Sequence, residues 1–406
     1  MADTFQQAGV ITNLTLDGAY LQGTNSVNNG TLTVNSGNLV GRLTIGPAGR
    51  LLLPTSGTKF LYSSTLINQG TVTWTGGMIE TGGTVISNGG LWQIAGDLTL
   101  NYGGGATPLW TNAGTLLKSA GTGVSTLADL NFYNQSNGLV QVNRGTLQLP
   151  SATTNAVGTM QLNGGALQAG GTLAFMGGKL DGSGTVGAVT LMGGIISPGL
   201  GGPGALSFVS NLSLGSNATL VLDGTGTVPG TGYDQLSVVG PVALGNATLE
   251  VTALPDVATG TAFVIITNHS TAAVSGTFNG LPEQALLAVG NQLFRISYQG
   301  DSGNDVTLTR VANTNAQAEF NSVTRLVDGT IQLGATGAAG LTYTLQANSD
   351  LTTPNWITLG VVTADTRGNL AIAKASTAAN RSFGNDARGS KRAARSGFSE
   401  LIEIFT

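Results

Sequence analysis

The chain of 406 residues has no cysteine and a single histidine, His269. The lack of cysteine excludes disulfides, thiolate metal ligands and a cysteine nucleophile. A zinc site needs several nitrogen or sulfur ligands, and a catalytic histidine needs an orienting partner. His269 stands between Asn268 and Ser270, which predicts a solvated loop. From these residue types we expect no metal site and no cofactor.

Charged residues are also scarce, at 9% of the sequence, and the net charge is −4. Nucleic-acid binding requires clustered Lys and Arg, and residues 1–380 contain no such cluster, so we expect no nucleic-acid partner. No apolar run approaches the ~18 residues of a membrane span. The start of the chain lacks the basic and apolar regions of a signal peptide, so we expect the signal sequence to be absent from this chain.

Glycine is abundant, with 63 residues, and it recurs every twenty-odd residues with apolar side chains two and four positions later. This period matches one turn of a β-solenoid. Lys118 is the one charge in these apolar positions, and we expect its strand to fray or its ammonium to reach solvent. The glycines are Gly30, Gly49, Gly70, Gly90, Gly114 and Gly138, and the predicted inner stack is Leu32, Leu51, Val72, Trp92, Leu116 and Val140.

Asparagine often precedes these glycines, as in Asn29-Gly30 and Asn112-Ala113-Gly114. Both residue types tolerate positive φ, which predicts a sharp bend between strands. After Gly158 the same pattern returns at shorter spacing, at Gly171 and Gly187, which predicts shorter turns. A set of unrelated hairpins is the alternative interpretation, because Asn-Gly is also a hairpin signal.

The fold predicted from these patterns is all-β: a right-handed parallel β-helix followed by a small β-sandwich-like module. We expect the solenoid over residues 1–310, a linker over 311–320 and the small C-terminal β module over 321–383. Residues 384–406 are predicted to be a disordered or atypical tail. This tail holds four basic residues within eight positions, Arg388, Lys391, Arg392 and Arg395.

Residues 175–310 carry motifs that resemble a known family. They include the glycine-rich run 177–186, Ile196-Ser197-Pro198-Gly199, Gly232-Tyr233-Asp234 and the segment 275–283. This order of motifs is similar to the autotransporter-associated β-strand repeat family. The resemblance implies a secreted or surface-displayed bacterial β-helix, of a family whose members mostly have no known catalytic residues. Residues 342–360 resemble the small β-sandwich modules appended to secreted bacterial proteins.

Enzymes built on β-helices usually carry two or three carboxylates on adjacent turns. Between residues 51 and 117 the acidic residues are Glu80 and Asp97 alone, and Asp129, Asp181 and Asp223 are too isolated in sequence to pair by spacing. We therefore predict no catalytic residues and no enzyme, although distant turns could still bring carboxylates together.

Three further patterns are weighed against simpler interpretations. Residues 300–305 resemble a calcium-binding glycine-aspartate repeat, but a single copy predicts a tight turn. Residues 384–391 have the wrong order for a phosphate-binding loop. Trp74, Trp92 and Trp110 could stack on sugars, but the first two occupy inward positions, which predicts a core role. Thr-x-Thr pairs suggest an ice-binding face, but they are missing from most turns.

The function expected from the sequence is therefore a non-catalytic extracellular or cell-surface β-solenoid, a structural stalk, adhesin or passenger segment. Two alternatives stay open: a polysaccharide-acting β-helix enzyme, and an ice- or glycan-binding solenoid. Expected partners are other copies of the chain, through the solenoid ends, and surface glycans.

Overall fold

The structure, a computed structural model, describes residues 4–6, 9–312, 318–325, 330–338, 340–348, 356–365, 368–375, 381–382, 395–396 and 401–405. Within these ranges the chain is all-β and contains no helix, as predicted. It divides into two compact units. The first comprises Met1–Glu250 and Ile265–Phe278, and the second comprises Val251–Val264 and Asn279–Thr406.

The first unit is a parallel β-solenoid with three faces, which confirms the predicted fold class. In one turn, Lys59–Tyr62 forms face 1, Ser64–Asn68 face 2 and Thr71–Trp74 face 3. Each strand pairs in parallel with the equivalent strand of the next turn: face 1 with Ile79–Gly82, face 2 with Val85–Asn88.

The strands of this unit follow in chain order. They are Thr4–Gln6, Gly9–Val10, Asn13–Leu53, Lys59–Tyr62, Ser64–Asn68, Thr71–Trp74, Ile79–Gly82, Val85–Asn88, Leu91–Ala95, Thr99–Tyr102, Leu109–Asn112, Thr115–Ala120, Val124–Leu127, Asn131–Asn134, Leu139–Val142, Thr146–Leu149, Ala152–Asn155, Thr159–Ala169, Leu173–Phe175, Lys179–Val186, Val189–Pro198, Ala205–Phe208, Leu212–Leu222, Gln235–Val238, Val242–Ala243, Thr248–Val251 and, in part, Ala262–Asn268.

Alternate residues of each strand point inward, because the side-chain period of a strand is two. The inner stack on face 3 is confirmed: its members are register partners and are fully buried. Burial of one such side chain contributes about 1.5–3 kcal/mol. The register partners of this stack are Leu51, Val72, Trp92, Leu116 and Val140, and Leu32 is fully buried as well.

The turns shorten after Gly158, as expected. On face 3 the register partners Thr115 and Leu139 are 24 residues apart, whereas Thr159 and Lys179 are 20 apart and Lys179 and Ile195 are 16 apart. Gly158 precedes a face 3 strand, whereas Gly171 and Gly187 both precede face 2 strands. The glycine pattern therefore also moves from one face to another. On face 1 the inward partners continue in order as Leu147, Leu167, Val186 and Phe208.

The glycines before face 3 are required by close packing between turns. Gly30 has a positive φ of 121°, but Gly70, Gly90 and Gly114 do not lie in the left-handed region. A Cβ on Gly90 would lie 2.2 Å from the carbonyl oxygen of Gly70, and a Cβ on Gly114 would lie 2.3 Å from that of Gly90. Any side chain here would collide with the backbone of the preceding turn.

The asparagines near these glycines form an internal ladder, a role that differs from the predicted bend. Asn68, Asn88, Asn112, Asn134 and Asn155 end successive face 2 strands and are buried. The Nδ2 of each of the first four donates to the Oδ1 of the asparagine one turn further on, at 2.7, 2.7, 2.9 and 2.8 Å along the series. The same Nδ2 atoms donate to backbone carbonyls at the start of face 3, for example from Asn88 to Thr115 at 3.1 Å. The ladder therefore satisfies its own polar atoms inside an apolar core.

The second unit begins with antiparallel strands. Leu286–Val289, Gln292–Gly300 and Asp305–Val311 pair in that order as a meander, so the end of the segment predicted as solenoid is antiparallel. The small C-terminal module contains two three-stranded sheets. One sheet orders Glu319–Arg325, Thr330–Thr336 and Asn369–Ala375, and the other orders Ile357–Thr363, Thr342–Asn348 and Leu401–Phe405.

Tyr343 occupies the centre of the core of this module. It is fully buried and its hydroxyl accepts a hydrogen bond from the backbone N–H of Ala338 at 2.6 Å. Leu293 and Val311 of the meander belong to the same apolar cluster as Leu333 and Leu345. The antiparallel meander and the module therefore share one core.

Much of the predicted linker and tail lies outside the described residues, including 313–317 and 383–394 with Arg388, Lys391 and Arg392. Two short pieces of the tail are strands. Arg395–Ser396 pairs with Arg381–Ser382, and Leu401–Phe405 pairs antiparallel with Thr342–Asn348.

Replacing Gly90 by alanine tests the close packing between turns. The added Cβ would meet the Gly70 carbonyl, and such overpacking should lower the unfolding free energy by about 3 kcal/mol. Gly171→Ala is the matched control, because no atom lies within 4 Å of its Cβ position and its φ is ordinary. The control should change stability by less than about 1 kcal/mol. Thermal and urea unfolding measure both, and equal stabilities would contradict this role of Gly90.

Replacing Asn112 by aspartate tests the ladder. The variant loses the donor to Asn134 Oδ1 and buries a carboxylate, which should cost about 3–5 kcal/mol at pH 7. A protonated carboxyl can donate again, so stability should recover as the pH falls from 7 to 5. Asn131→Asp is the control, because Asn131 lies on the adjacent face 2 strand, one turn further on, and is not buried. A loss in Asn112→Asp no larger than in the control would show that the ladder is dispensable.

Candidate functional site

The three tryptophans considered for sugar binding are all inside the solenoid. Trp74, Trp92 and Trp110 are fully buried, which fits the predicted core role. The Trp92 and Trp110 ring centroids lie 4.6 Å apart, and Phe132 follows Trp110 at 6.0 Å. These rings stack from turn to turn and are closed to ligands from solvent.

Lys118 is fully buried, and both expectations for it are wrong: its strand does not fray and its ammonium does not reach solvent. Nζ donates to the Asp97 carboxylate at 3.1 Å, to Ser125 Oγ at 3.0 Å and to the carbonyls of Gly96 and Ala120 at 3.0 and 3.1 Å. The backbone N–H of Gly123 and the Lys118 ammonium hold the pKa of Asp97 below its usual range. The partners come from adjacent turns, so this ammonium is a structural cross-link.

Lys59 is a second buried lysine, which the sequence reasoning missed. Its Nζ donates to the carbonyls of Thr55 and Gly76 at 2.5 and 2.8 Å. Burial lowers the pKa of this ammonium from 10.5 to about 8. Lys118 has a carboxylate partner, whereas the hydrogen bonds described for Lys59 lead to carbonyls. The Lys59 charge is therefore only partly compensated.

Asp223 and Asp234 are the neighbouring carboxylates that most resemble a catalytic pair. The Asp234 side chain is buried and accepts hydrogen bonds from the backbone N–H of Gly204 at 2.7 Å and of Asp223 at 2.9 Å. Burial raises the pKa of Asp234 to about 6, and the charge of Asp223 adds to the rise. Both Asp234 oxygens hold backbone groups, so this carboxylate fixes the loop 223–234.

The other acidic residues singled out from the sequence are separate from this pair. Asp181 forms an ion pair with Lys179 at 3.0 Å, and Asp129 is exposed with a φ of 48°. His269 is exposed, and its Nε2 lies 2.8 Å from the hydroxyl of Ser237 on the preceding turn. A serine and a histidine at this distance could act as nucleophile and base, but such a pair needs an orienting acid. Among the described residues no carboxylate is seen to hydrogen-bond the His269 ring.

Residues 300–305 form a turn. The Ser302 hydroxyl donates to Asn304 Oδ1 at 2.6 Å, and Asp305 is buried at the start of the next strand. In the described parts of the chain, no group of three or more His, Asp or Glu side chains is arranged to hold a metal ion. No helix among the same residues is long and apolar enough to cross a membrane. The segment 384–391 lies outside the described residues.

The outer surface of face 1 carries an aromatic platform that the sequence reasoning also missed. We define it as Phe60, Tyr62, Glu80 and Asn101, which occupy outward positions on three consecutive turns. The Phe60 and Tyr62 rings are nearly parallel, at 19°, with centroids 6.3 Å apart. The Tyr62 hydroxyl donates to Glu80 Oε1, and this bond raises the pKa of Tyr62 to about 12.

The Thr71 and Thr73 pair that suggested an ice-binding face lies on face 3, where the row through Thr73 continues as Gln93, Leu117 and Gln141 and carries no further threonine in these turns. The outward row of face 2 is the second place where such an array could form. In register, the row reads Ile67, Ser87, Thr111, Tyr133, Thr154, Ala174, Thr190 and Ser213. Tyr133 is 42% exposed and projects from the centre of the row. A flat threonine array is therefore not formed on this face.

No family model matches this chain, and a search of curated proteins found no match.

The Lys59 site predicts a specific pH dependence. Below pH 8 Lys59 is charged in both the folded and the unfolded chain, so the full free-energy cost of burying its charge opposes folding. Between pH 8 and 10.5 the unfolded chain binds the proton more tightly, so stability rises with pH as this cost disappears. From pH 7.5 to 10.5 the wild type should therefore gain about 1–3 kcal/mol relative to Lys59→Met. Leu61→Met changes another inward position on the same strand and serves as the control; compared with it, the wild type should show no such gain in urea unfolding. If the stabilities of wild type and Lys59→Met changed in parallel with pH, the lowered pKa of Lys59 would be contradicted.

Proposed function

We propose that this chain is a non-catalytic extracellular or cell-surface scaffold, a stalk, adhesin or passenger segment of a bacterial surface protein. One observation carries this proposal: the buried charged and amide groups of the solenoid bind backbone or one another across turns. The Asn ladder and the Lys118 cluster are the two main instances. These polar and charged groups lie inside the stack of turns, where they stabilise the solenoid and do not face a substrate.

The choice of a bacterial surface depends on the motifs in residues 175–310 that resemble the autotransporter-associated repeat. The composition agrees with it, since a chain without cysteine needs no oxidising compartment to fold. Self-association through the solenoid ends stays part of the proposal, because strand edges at the end of a sheet attract other strands.

A polysaccharide-acting enzyme is the second candidate, and the Ser237–His269 contact is the observation in its favour. It is the weaker candidate because the Asp223–Asp234 pair is held by backbone groups. If it were correct, the purified protein would release reducing ends from pectin or alginate, and Ser237→Ala would abolish the release.

Surface exposure tests the scaffold proposal directly. Antibodies raised against the purified chain should label intact cells of the bacterium that produces it as strongly as permeabilised cells. An antibody to a cytoplasmic enzyme of the same cells serves as the control and should label only after permeabilisation. If the antibodies to this chain also required permeabilisation, the extracellular scaffold proposal would fail.

A further inference from the structure

We propose that the aromatic platform on face 1 binds a neutral oligosaccharide. The platform consists of Phe60, Tyr62, Glu80 and Asn101, as defined above. This is a binding function separate from the scaffold role, so either proposal can fail while the other holds.

The Tyr62 ring lies flat along the solenoid because glycines form the surface beneath it. A Cβ on Gly82, one turn further on, would lie 2.7 and 2.8 Å from the edge of the ring. A Cβ on Gly103, two turns further on, would collide with the Tyr62 hydroxyl. The ring thus spans three turns and covers bare backbone. Its opposite side is available to a ligand, since Tyr62 is not buried.

Phe60 extends this flat surface. Its ring is within 19° of parallel to that of Tyr62, and the centroid separation of 6.3 Å is comparable with one pyranose unit of a β-linked chain. Sugar rings present C–H groups on their faces, and these groups pack on the negative face of an aromatic ring. Two parallel rings therefore fit consecutive sugar units.

Polar groups stand beside the rings in the next two turns. Phe60 is the register partner of Glu80, and Glu80 is the register partner of Asn101. The bond from the Tyr62 hydroxyl to Glu80 fixes the carboxylate. A carboxylate and an amide at the edge of a flat apolar surface can bind sugar hydroxyls, and such placed polar groups orient a ligand.

The charge of the platform selects the class of sugar. Glu80 carries a carboxylate, and these outward positions on four consecutive turns of face 1 carry no cation: Asn38, Phe60, Tyr62, Glu80 and Asn101. Lys59 points into the core. An anionic uronic-acid polymer would be repelled, so the fitting ligand is neutral.

The small area argues against a protein partner. A stable protein interface buries about 800 Å² on each side. Two aromatic residues with two polar neighbours cannot supply this area. The following turns place Thr126, Gln148 and Gln168 outward, so the apolar surface does not continue along face 1.

Affinity electrophoresis in gels containing hydroxyethyl cellulose, glycol chitin, glucomannan or alginate tests the proposal with the full chain. At least one of the three neutral polymers should retard the wild type, and alginate should not. Calorimetry with cellohexaose or chitohexaose should then give a Kd of roughly 10 μM to 1 mM. Phe60→Ala and Tyr62→Ala should each weaken binding on the order of tenfold.

Two variants provide controls. Tyr133→Ala removes an exposed aromatic ring from face 2 and should bind like the wild type. Tyr62→Phe keeps the ring and removes the bond to Glu80, and it should bind within about threefold of wild type, since stacking on the ring is retained. Thermal unfolding monitored by circular dichroism checks that all four variants fold.

Three outcomes would overturn the proposal. The first is that none of the neutral polymers retards the wild type. The second is that Tyr133→Ala loses binding as much as Tyr62→Ala. The third is that light scattering shows self-association that Phe60→Ala abolishes, because the platform would then dock a second copy of the chain.

Discussion

The hydrogen bond from one asparagine side chain to the next is the interaction on which the solenoid depends. It links five consecutive turns and is repeated with donor–acceptor distances of 2.7–2.9 Å. Its geometry requires that the backbones of adjacent turns approach closely at the corner between faces 2 and 3. The approach is close enough that Gly70, Gly90 and Gly114 cannot carry a side chain. Amide ladder and glycine column are therefore two aspects of one constraint.

Cations inside the solenoid are tolerated to different degrees. Lys118 finds a carboxylate, a hydroxyl and two carbonyls around its ammonium. The described partners of Lys59 are carbonyls, and its depressed pKa reflects the remaining cost of burial. The difference lies in the groups that neighbouring residues supply. The side chains of Asp97 and Ser125 reach Lys118, whereas Thr55 and Gly76 offer backbone carbonyls to Lys59. A buried charge is therefore best compensated where polar side chains of neighbouring residues can hydrogen-bond it.

The sequence allowed the fold to be predicted because the glycine and apolar period is a property of the chain itself. Trp74 and Trp92 could be assigned to the core from the same alternation. The partners of Lys118 could not be predicted, since Asp97 and Ser125 reach it only after neighbouring turns stack. The asparagines were interpreted as bend residues because that is their usual role in short motifs. The platform escaped notice because Phe60 and Glu80 are adjacent only across turns.

The corner between faces 2 and 3 repeats in successive turns, and this repetition affects how the chain can evolve. Gly138 and Gly158 each precede a face 3 strand that pairs in the same register, Leu139 above Thr159. A gene deletion that joined Gly138 directly to Thr159 would remove one complete turn and bring matching surfaces together, and a duplication between the same points would add one. A join displaced by one residue from this register would place inward residues outside. Such changes lengthen or shorten the solenoid in whole turns, while the turns on either side keep their sequence.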